Sequence, residues 1–294
     1  KKLPQLLQRL DEPVGDNSIL PTWELCGFAR EHVTVALGGD GGDELLAGYD
    51  PFRALRPAGI YHSLIPGGVH RVFQHLAGLI PVSQKNISLD FKIKRFLRGL
   101  SYQTSCWLPA WMGALEPSDI ADALGGSLNP CEIYSEAIDA WDRQKDLCPI
   151  DRATSFFIRI YLQDGILTKV DRASMLHSLE VRSPFLDIEV VDFLRQLPAA
   201  WKFRQGKGKY LLHLAAQGLV PDSVLKRKKK GFGSPVGPWF QNGKLALDPG
   251  SPEWIKSLEQ AHQSGRSDQR LALWSALSLQ EWKKGVHPRI EKEA

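Results

Sequence analysis

Between His32 and Tyr49 the chain reads HVTVALGGDGGDELLAGY, and no other stretch limits the possible folds as tightly. Val33, Thr34, Val35, Ala36 and Leu37 are β-branched or apolar, the composition of a short, fully buried strand. Gly38, Gly39, Gly41 and Gly42 follow at once, so the backbone can turn sharply and approach a ligand with no Cβ in the way. Asp40, Asp43 and Glu44 are interleaved with them. A strand, a glycine turn and a helix start form the place where open α/β sheets bind ligands, at the carboxyl ends of their strands.

The carboxylates narrow the kind of ligand. A phosphate-cradling P-loop works through backbone N–H groups and a Lys, and the pattern G-x-x-x-x-G-K-[ST] is absent. Asp and Glu repel a bare triphosphate but suit a hard ion such as Mg²⁺, which takes oxygen ligands and bridges phosphates. The plainer alternative is a solvated turn in which Asp43 and Glu44 favour a helix N-terminus. From composition alone the two readings stand level.

GDGGDELLAGY resembles the second signature of the asparagine synthetase family, G-E-G-x-D-E-x-x-x-G-Y. The resemblance extends from Asp11-Glu12-Pro13 to the Trp-rich C-terminal segment, with little of it between about Pro51 and Asp151. It includes LQDGILTKVDRASM (Leu162–Met175), EVRSPFLD (Glu180–Asp187) and an R-x-K-x-G-F element that puts Arg227, Lys229 and Phe232 in register. Asp40 stands where asparagine synthetases often have Glu, which leaves the acceptor substrate open. Relatives that close a lactam ring carry Tyr at that position, paired with a Glu, and Asp40 argues against that chemistry.

The resemblance implies an α/β, mostly helical fold: part of a parallel sheet of the adenine-nucleotide-hydrolase-like (PP-loop ATPase) type with a large helical remainder. Residues 1–50 would end the nucleotide-binding α/β portion, and 51–294 would form the mainly helical portion. Full-length family members open with a catalytic N-terminal Cys in a glutaminase domain and carry an S-G-G-x-D-S pyrophosphate loop. Neither is in this sequence, so the expectation is the C-terminal part of a synthetase domain, inactive by itself.

The implied activity is an ATP-dependent, amide-forming carbon–nitrogen ligase. A carboxylate, aspartate first among the candidates, would be activated as an acyl-adenylate and attacked by ammonia released from glutamine. The implied cofactors are ATP and Mg²⁺. Asp43 would hold Mg²⁺, and Gly38 and Gly39 would give close backbone approach to the nucleotide. Lys229 would serve the adenylate and the tetrahedral intermediate. Asp40 and Asp164 would form the acid/base or amine-orienting pair. Glu44, Lys169, Asp171, Arg172 and Arg227 are structural or substrate-lining candidates. An amidotransferase acting on a sugar acid or a biosynthetic intermediate is the alternative within the family.

The rest of the chain bounds these expectations. With 294 residues, 43% of them hydrophobic, a sizeable core is expected. The net charge of +4 requires no nucleic-acid partner. Lys226–Lys230 (KRKKK) is the one run that suggests a nucleic-acid-binding fragment instead. No apolar run reaches membrane-spanning length, no signal peptide is expected, and Cys26, Cys106, Cys131 and Cys148 lack CxxC spacing. Reduced, buried thiols in a cytoplasmic enzyme, able to form a homodimer, are expected.

Local patterns complete the reading. Leu3, Leu6, Leu7 and Leu10 share one helical face. Pro21 opens a helix running to about Arg30, with Leu25 and Phe28 inward. FKIKRFLRGL (Phe91–Leu100) is an amphipathic helix with a solvated basic face, and Trp107, Trp111 and Trp141 are core. Two helices span Phe156–Leu167 and Val170–Leu179, with a break near Asp164-Gly165. Asp171, Arg172, Glu180, Arg182 and Asp187 read as structural ion pairs. No H-x-x-x-H pair suggests zinc.

Overall fold

The computed structural model describes residues 2–83, 88–126, 128–227 and 231–293, with the side chains of 122–124 and 287–293 left aside. Helices dominate it, and two small sheets carry all its described strands. Strand β1 (Val35–Leu37) lies parallel to β2 (Glu180–Arg182), in the register Val35↔Glu180, Ala36↔Val181, Leu37↔Arg182. A short antiparallel hairpin pairs Phe203–Arg204 with Lys207–Gly208.

Three apolar clusters position these parts. The first packs Leu3, Leu6, Leu7 and Leu10 against Phe240, Leu273 and Trp274, so the helix Lys2–Gln8 lies on the C-terminal helix Arg270–Glu293. Their approach is close: a Cβ on Gly285 would overlap the Gln8 carbonyl. The second gathers Phe52, Trp107, Trp111, Trp141, Phe156 and Phe157 among the middle helices, which places the three tryptophans in the core as their spacing predicts. The third lies beneath the glycine turn, where Leu45, Leu46 and Leu194 meet Phe185, Leu186 and Leu211.

Several sequence expectations are corrected. Strand β1 is open rather than buried: Val33, Val35 and Leu37 are 45%, 40% and 75% exposed. The helix Ile19–Arg30 turns Leu25 and Phe28 outward, so its apolar spacing does not mark an inward face. No break occurs at Asp164-Gly165. The chain runs as α-helix over Pro149–Phe156, widens to π-helix over Phe157–Leu167 and tightens again to α-helix over Thr168–Met175. Widened turns of this kind recur at functional sites, because they rotate side chains out of α-helical register.

The basic helix Leu89–Gly99 is also not simply solvated. Arg95 donates to the carbonyls of Trp111 and Gly113, and Arg98 pairs with Glu116 at 2.9 Å. Burial lowers Arg95 to about 10, yet it remains a cation at neutral pH. Of the four free cysteines, Cys26 and Cys106 are buried, whereas Cys131 and Cys148 are exposed. Among the described residues, no helix is long and apolar enough to cross a membrane.

Candidate active site

The site begins where β1 ends. The Gly38 N–H donates to the Arg182 carbonyl at 2.7 Å, which carries the parallel ladder one residue beyond the strand. A side chain at Gly38 would press on the Asp40 carboxylate and Val181, whereas the Cα of Gly39 faces open space. Gly41 then turns left-handed, with φ +88°, and caps the short helix Gly42–Leu45. A Cβ there would overlap Leu186, so glycine is required both by conformation and by space.

The three carboxylates of the turn have different surroundings. Asp40 accepts a long hydrogen bond from the Ser183 hydroxyl at 3.4 Å, which ties the turn to the segment just past β2. Asp43 lies 3.1 Å from the Lys209 ammonium. Glu44 is buried and accepts from the Tyr49 hydroxyl at 2.5 Å. Burial pushes the Glu44 carboxyl above its ordinary range, and the Tyr49 hydrogen bond offsets only part of that effect.

A second polar group joins from the Asp16–Ser18 turn. The buried Lys169 ammonium donates to Asp16 Oδ2 and to Ser18 Oγ, each at 2.7 Å. Desolvation pushes Asp16 up, but the charge and hydrogen bond of Lys169 outweigh it and hold the carboxyl below its usual range. Tyr161, on the π-helical turn, connects the two groups. Burial raises its phenol pKa, and the charges of Asp16, Glu44 and Asp43 raise it further. Its ring meets Tyr49 edge-on, with centroids 5.4 Å apart.

The other candidate residues fall in several places. Asp164 is exposed and lines an open depression of about 410 Å³ with Glu136, Asp139, Arg143, Arg159 and Gln163. Among the described residues, no hydrogen bond or ion pair joins it to Asp40. Arg172 grips Asp11 through Nε at 2.8 Å and also pairs with Asp171. Glu180 and Arg182 pair at 2.7 Å on the surface, whereas Asp187 caps the helix Ile188–Gln196 and, among the described residues, joins no ion pair. Arg227 is exposed. Lys229 lies outside the described residues. The segment that follows it is anchored at the site, because Ser234 donates from its N–H to Asn17 Oδ1 and from its hydroxyl to the Asn17 carbonyl, both at 3.2 Å.

Sequence reasoning did not find Tyr161, Ser183 or Lys209 as parts of this arrangement. Tyr161 is hidden in an apolar run. Lys209 offered one signal, its place in Gly206-Lys207-Gly208-Lys209 just after a hairpin turn.

The donor set also bears on a metal. Among the described residues, no three His, Cys, Asp or Glu side chains cluster as ligands. Asp40 and Asp43, three positions apart on one turn, fit an ion of the Mg²⁺ type, which is commonly held by one or two carboxylates with phosphate oxygens and water completing the shell.

A parallel strand pair ending in an acidic glycine turn, flanked by helices, fits the PP-loop ATPase-like class of α/β proteins, to which the asparagine synthase domain belongs. The family model for asparagine synthase matches residues 1–284, and the chain belongs to that family. It is 30% identical over 267 residues to asparagine synthetase (glutamine-hydrolyzing) 1 of Bacillus subtilis, covering 90% of this chain and 39% of that protein. It is also 30% identical over 296 residues to a putative asparagine synthetase (glutamine-hydrolyzing) of Mycobacterium tuberculosis, covering 95% and 44%. Amidase chry2 of Gibberella zeae matches at 26% identity over 223 residues, covering 70% and 33%. The chain thus spans less than half the length of each of these curated relatives.

Proposed function

We propose that this chain forms the acyl-adenylating part of an ATP-dependent, amide-forming ligase, with aspartate as the first candidate acceptor and ammonia drawn from glutamine. One observation carries the reading: an acidic glycine turn, tied to Ser183 through Asp40 and to Lys209 through Asp43, directly follows the carboxyl end of a strand in a parallel pair. Ligands bind there in open α/β sheets.

In this reading Gly38 and Gly39 let the nucleotide approach the backbone. Asp43, with Asp40 beside it, holds Mg²⁺, which supplies charge neutralisation for the phosphates. The acceptor carboxylate attacks the α-phosphorus of ATP, an acyl-adenylate forms and pyrophosphate leaves. Ammonia then adds to the acyl carbon, and AMP leaves as the amide forms. Asp40 and Asp164 orient the amine and take its proton, and Lys229 stabilises the developing oxyanion. Residues 1–50 end the nucleotide-binding portion and 51–294 form the helical portion. The glutaminase function belongs to a domain outside this sequence, and the setting is cytoplasmic.

The alternative within the family is an amidotransferase whose acceptor is a sugar acid or a biosynthetic intermediate. Photolabelling with 8-azido-ATP in Mg²⁺ tests the nucleotide site. The expected label lies on the peptide containing Gly38–Asp43 and is protected by ATP, while carboxylate-dependent ATP–pyrophosphate exchange, assayed with a glutaminase-bearing partner present, ranks the acceptors. Labelling that ATP fails to suppress, alongside salt-sensitive retention of duplex DNA through the Lys226–Lys230 run, would overturn the reading.

A further inference from the structure

The Asp43 carboxylate already faces a protein cation. Lys209 Nζ lies 3.1 Å from Asp43 Oδ1, with the lysine side chain 28% and the aspartate 21% exposed. Little in this contact is left to side-chain drift. Lys209 occupies the left-handed region at φ +56°, and its own N–H donates to the Leu46 carbonyl at 2.7 Å. Gly208 before it lies so close to the turn that a Cβ would overlap the Ala47 carbonyl. On the other side, a Cβ at Gly48 would overlap the Asp43 carboxylate and crowd Lys209 Cε. The hairpin Phe203–Gly208 therefore clamps the lysine against the residues that follow the glycine turn.

A non-glycine residue held at positive φ is costly and persists where surrounding contacts determine it. Here those contacts aim an ammonium at a carboxylate of the turn assigned to a divalent ion. We propose that Lys209 is a positioning residue for Asp43: it holds the carboxylate in place as a resident counter-cation and competes with the divalent ion for it. The inference rests on the functional reading above. It adds that metal occupancy of the turn is set by an exchange of cations at Asp43. The ammonium orients the Asp43 carboxylate before nucleotide arrives, and the divalent ion bound with the triphosphate must displace the ammonium or share the carboxylate with it. No bond is made or broken in this exchange.

Mn²⁺ binding, read as loss of the free hexaaqua Mn²⁺ electron paramagnetic resonance signal at low ionic strength, tests the proposal without turnover. Lys209→Met is expected to bind Mn²⁺ about fivefold more tightly than the unmodified protein, the size of effect set by a part-exposed ion pair. Lys209→Arg, which keeps the charge, should match the unmodified protein. Asp43→Asn should remove the gain when added to Lys209→Met. Circular dichroism and urea midpoints of each variant report whether the hairpin still folds, and Lys209→Arg is the control for packing. Equal affinity of Lys209→Met and the unmodified protein, including no measurable binding by either, overturns the proposal. So does a gain that survives Asp43→Asn. ATP-protected azido-ATP labelling persisting in that case would leave the nucleotide site standing, so the two readings fail separately.

Discussion

Lys169 and Asp16 form an ion pair that is buried on one side only: the lysine side chain is 8% exposed and the aspartate 33%. The ammonium has no other charged partner among the described contacts, and Ser18 Oγ at 2.7 Å accepts a second hydrogen bond from it. The pair joins the Asp16–Ser18 turn to the helix Thr168–Met175, so it fixes one wall of the site to another.

Asp16→Asn should therefore strand a buried ammonium. The expected loss is about 3 kcal/mol, the lower end of the range for breaking a buried pair because a third of Asp16 meets solvent. Lys169→Met should cost less, since it leaves only a part-exposed carboxylate behind. Urea denaturation of both variants measures the difference, and an Asp16→Asn protein less than 1 kcal/mol destabilised would contradict the pairing.

The same pair sets an acid limit. Its carboxyl is held below the ordinary 3.8, so Asp16 contributes stability that is fully present above that value and is lost as pH falls through the lower folded value. Asp11, lowered by its hydrogen bond from Arg172, acts in the same direction. The contribution of these two carboxyls to the urea midpoint should hold from neutrality to about pH 5 and then fall between pH 4 and 2. Asp16→Asn should flatten that fall.

These relationships show what could be read before any coordinates. The glycine turn was legible because four glycines and three acids at fixed offsets leave few backbone paths. The face of Leu3, Leu6, Leu7 and Leu10 was legible from helical spacing. The burial of β1 and of Leu25 and Phe28 was misread, because apolar spacing reports which side avoids water and not which neighbour is within reach. The break assigned to Asp164-Gly165 failed because glycine only lowers helix propensity by about 1 kcal/mol, and packing around Phe157 and Leu162 overrides it. Lys209 was out of reach for another reason. Its contact with Asp43 joins parts of the chain that no local pattern relates.

Glu44 and Tyr49 give a pH dependence of the opposite sign. The Glu44 carboxyl titrates above its ordinary 4.5 because it is buried. Its stabilising contribution is therefore full below that value and declines as pH rises through the raised folded value. Glu44→Gln, which can still accept from Tyr49, should raise the urea midpoint at pH 7.5 relative to the unmodified protein and leave it unchanged at pH 4. Tyr49→Phe should do the reverse at pH 7.5, losing about 1.5–3 kcal/mol by removing the hydroxyl donor to a buried carboxylate. Equal effects of both substitutions across this range would count against a buried Glu44 carboxyl that titrates above its ordinary range.

Gly208 tests the clamp mechanically. A methyl group there would meet the backbone carbonyl of Ala47, which cannot swing aside as a flexible side chain could. Ala47 is itself left-handed at φ +54°, so the strand–turn contact has little slack. Gly208→Ala should cost about 1–3 kcal/mol, as overpacking in a fixed environment does. Gly206, whose Cα faces open space but whose φ is +76°, provides the comparison. Gly206→Ala should pay only the left-handed penalty of about 1–2 kcal/mol. It should also leave amide exchange at Leu46 and Ala47 unchanged, whereas Gly208→Ala should accelerate it. Hydrogen exchange resolved to the peptide containing Leu45–Gly48 separates the outcomes. Acceleration by both substitutions alike would mean that the hairpin loosens as a whole and that no specific contact clamps the turn.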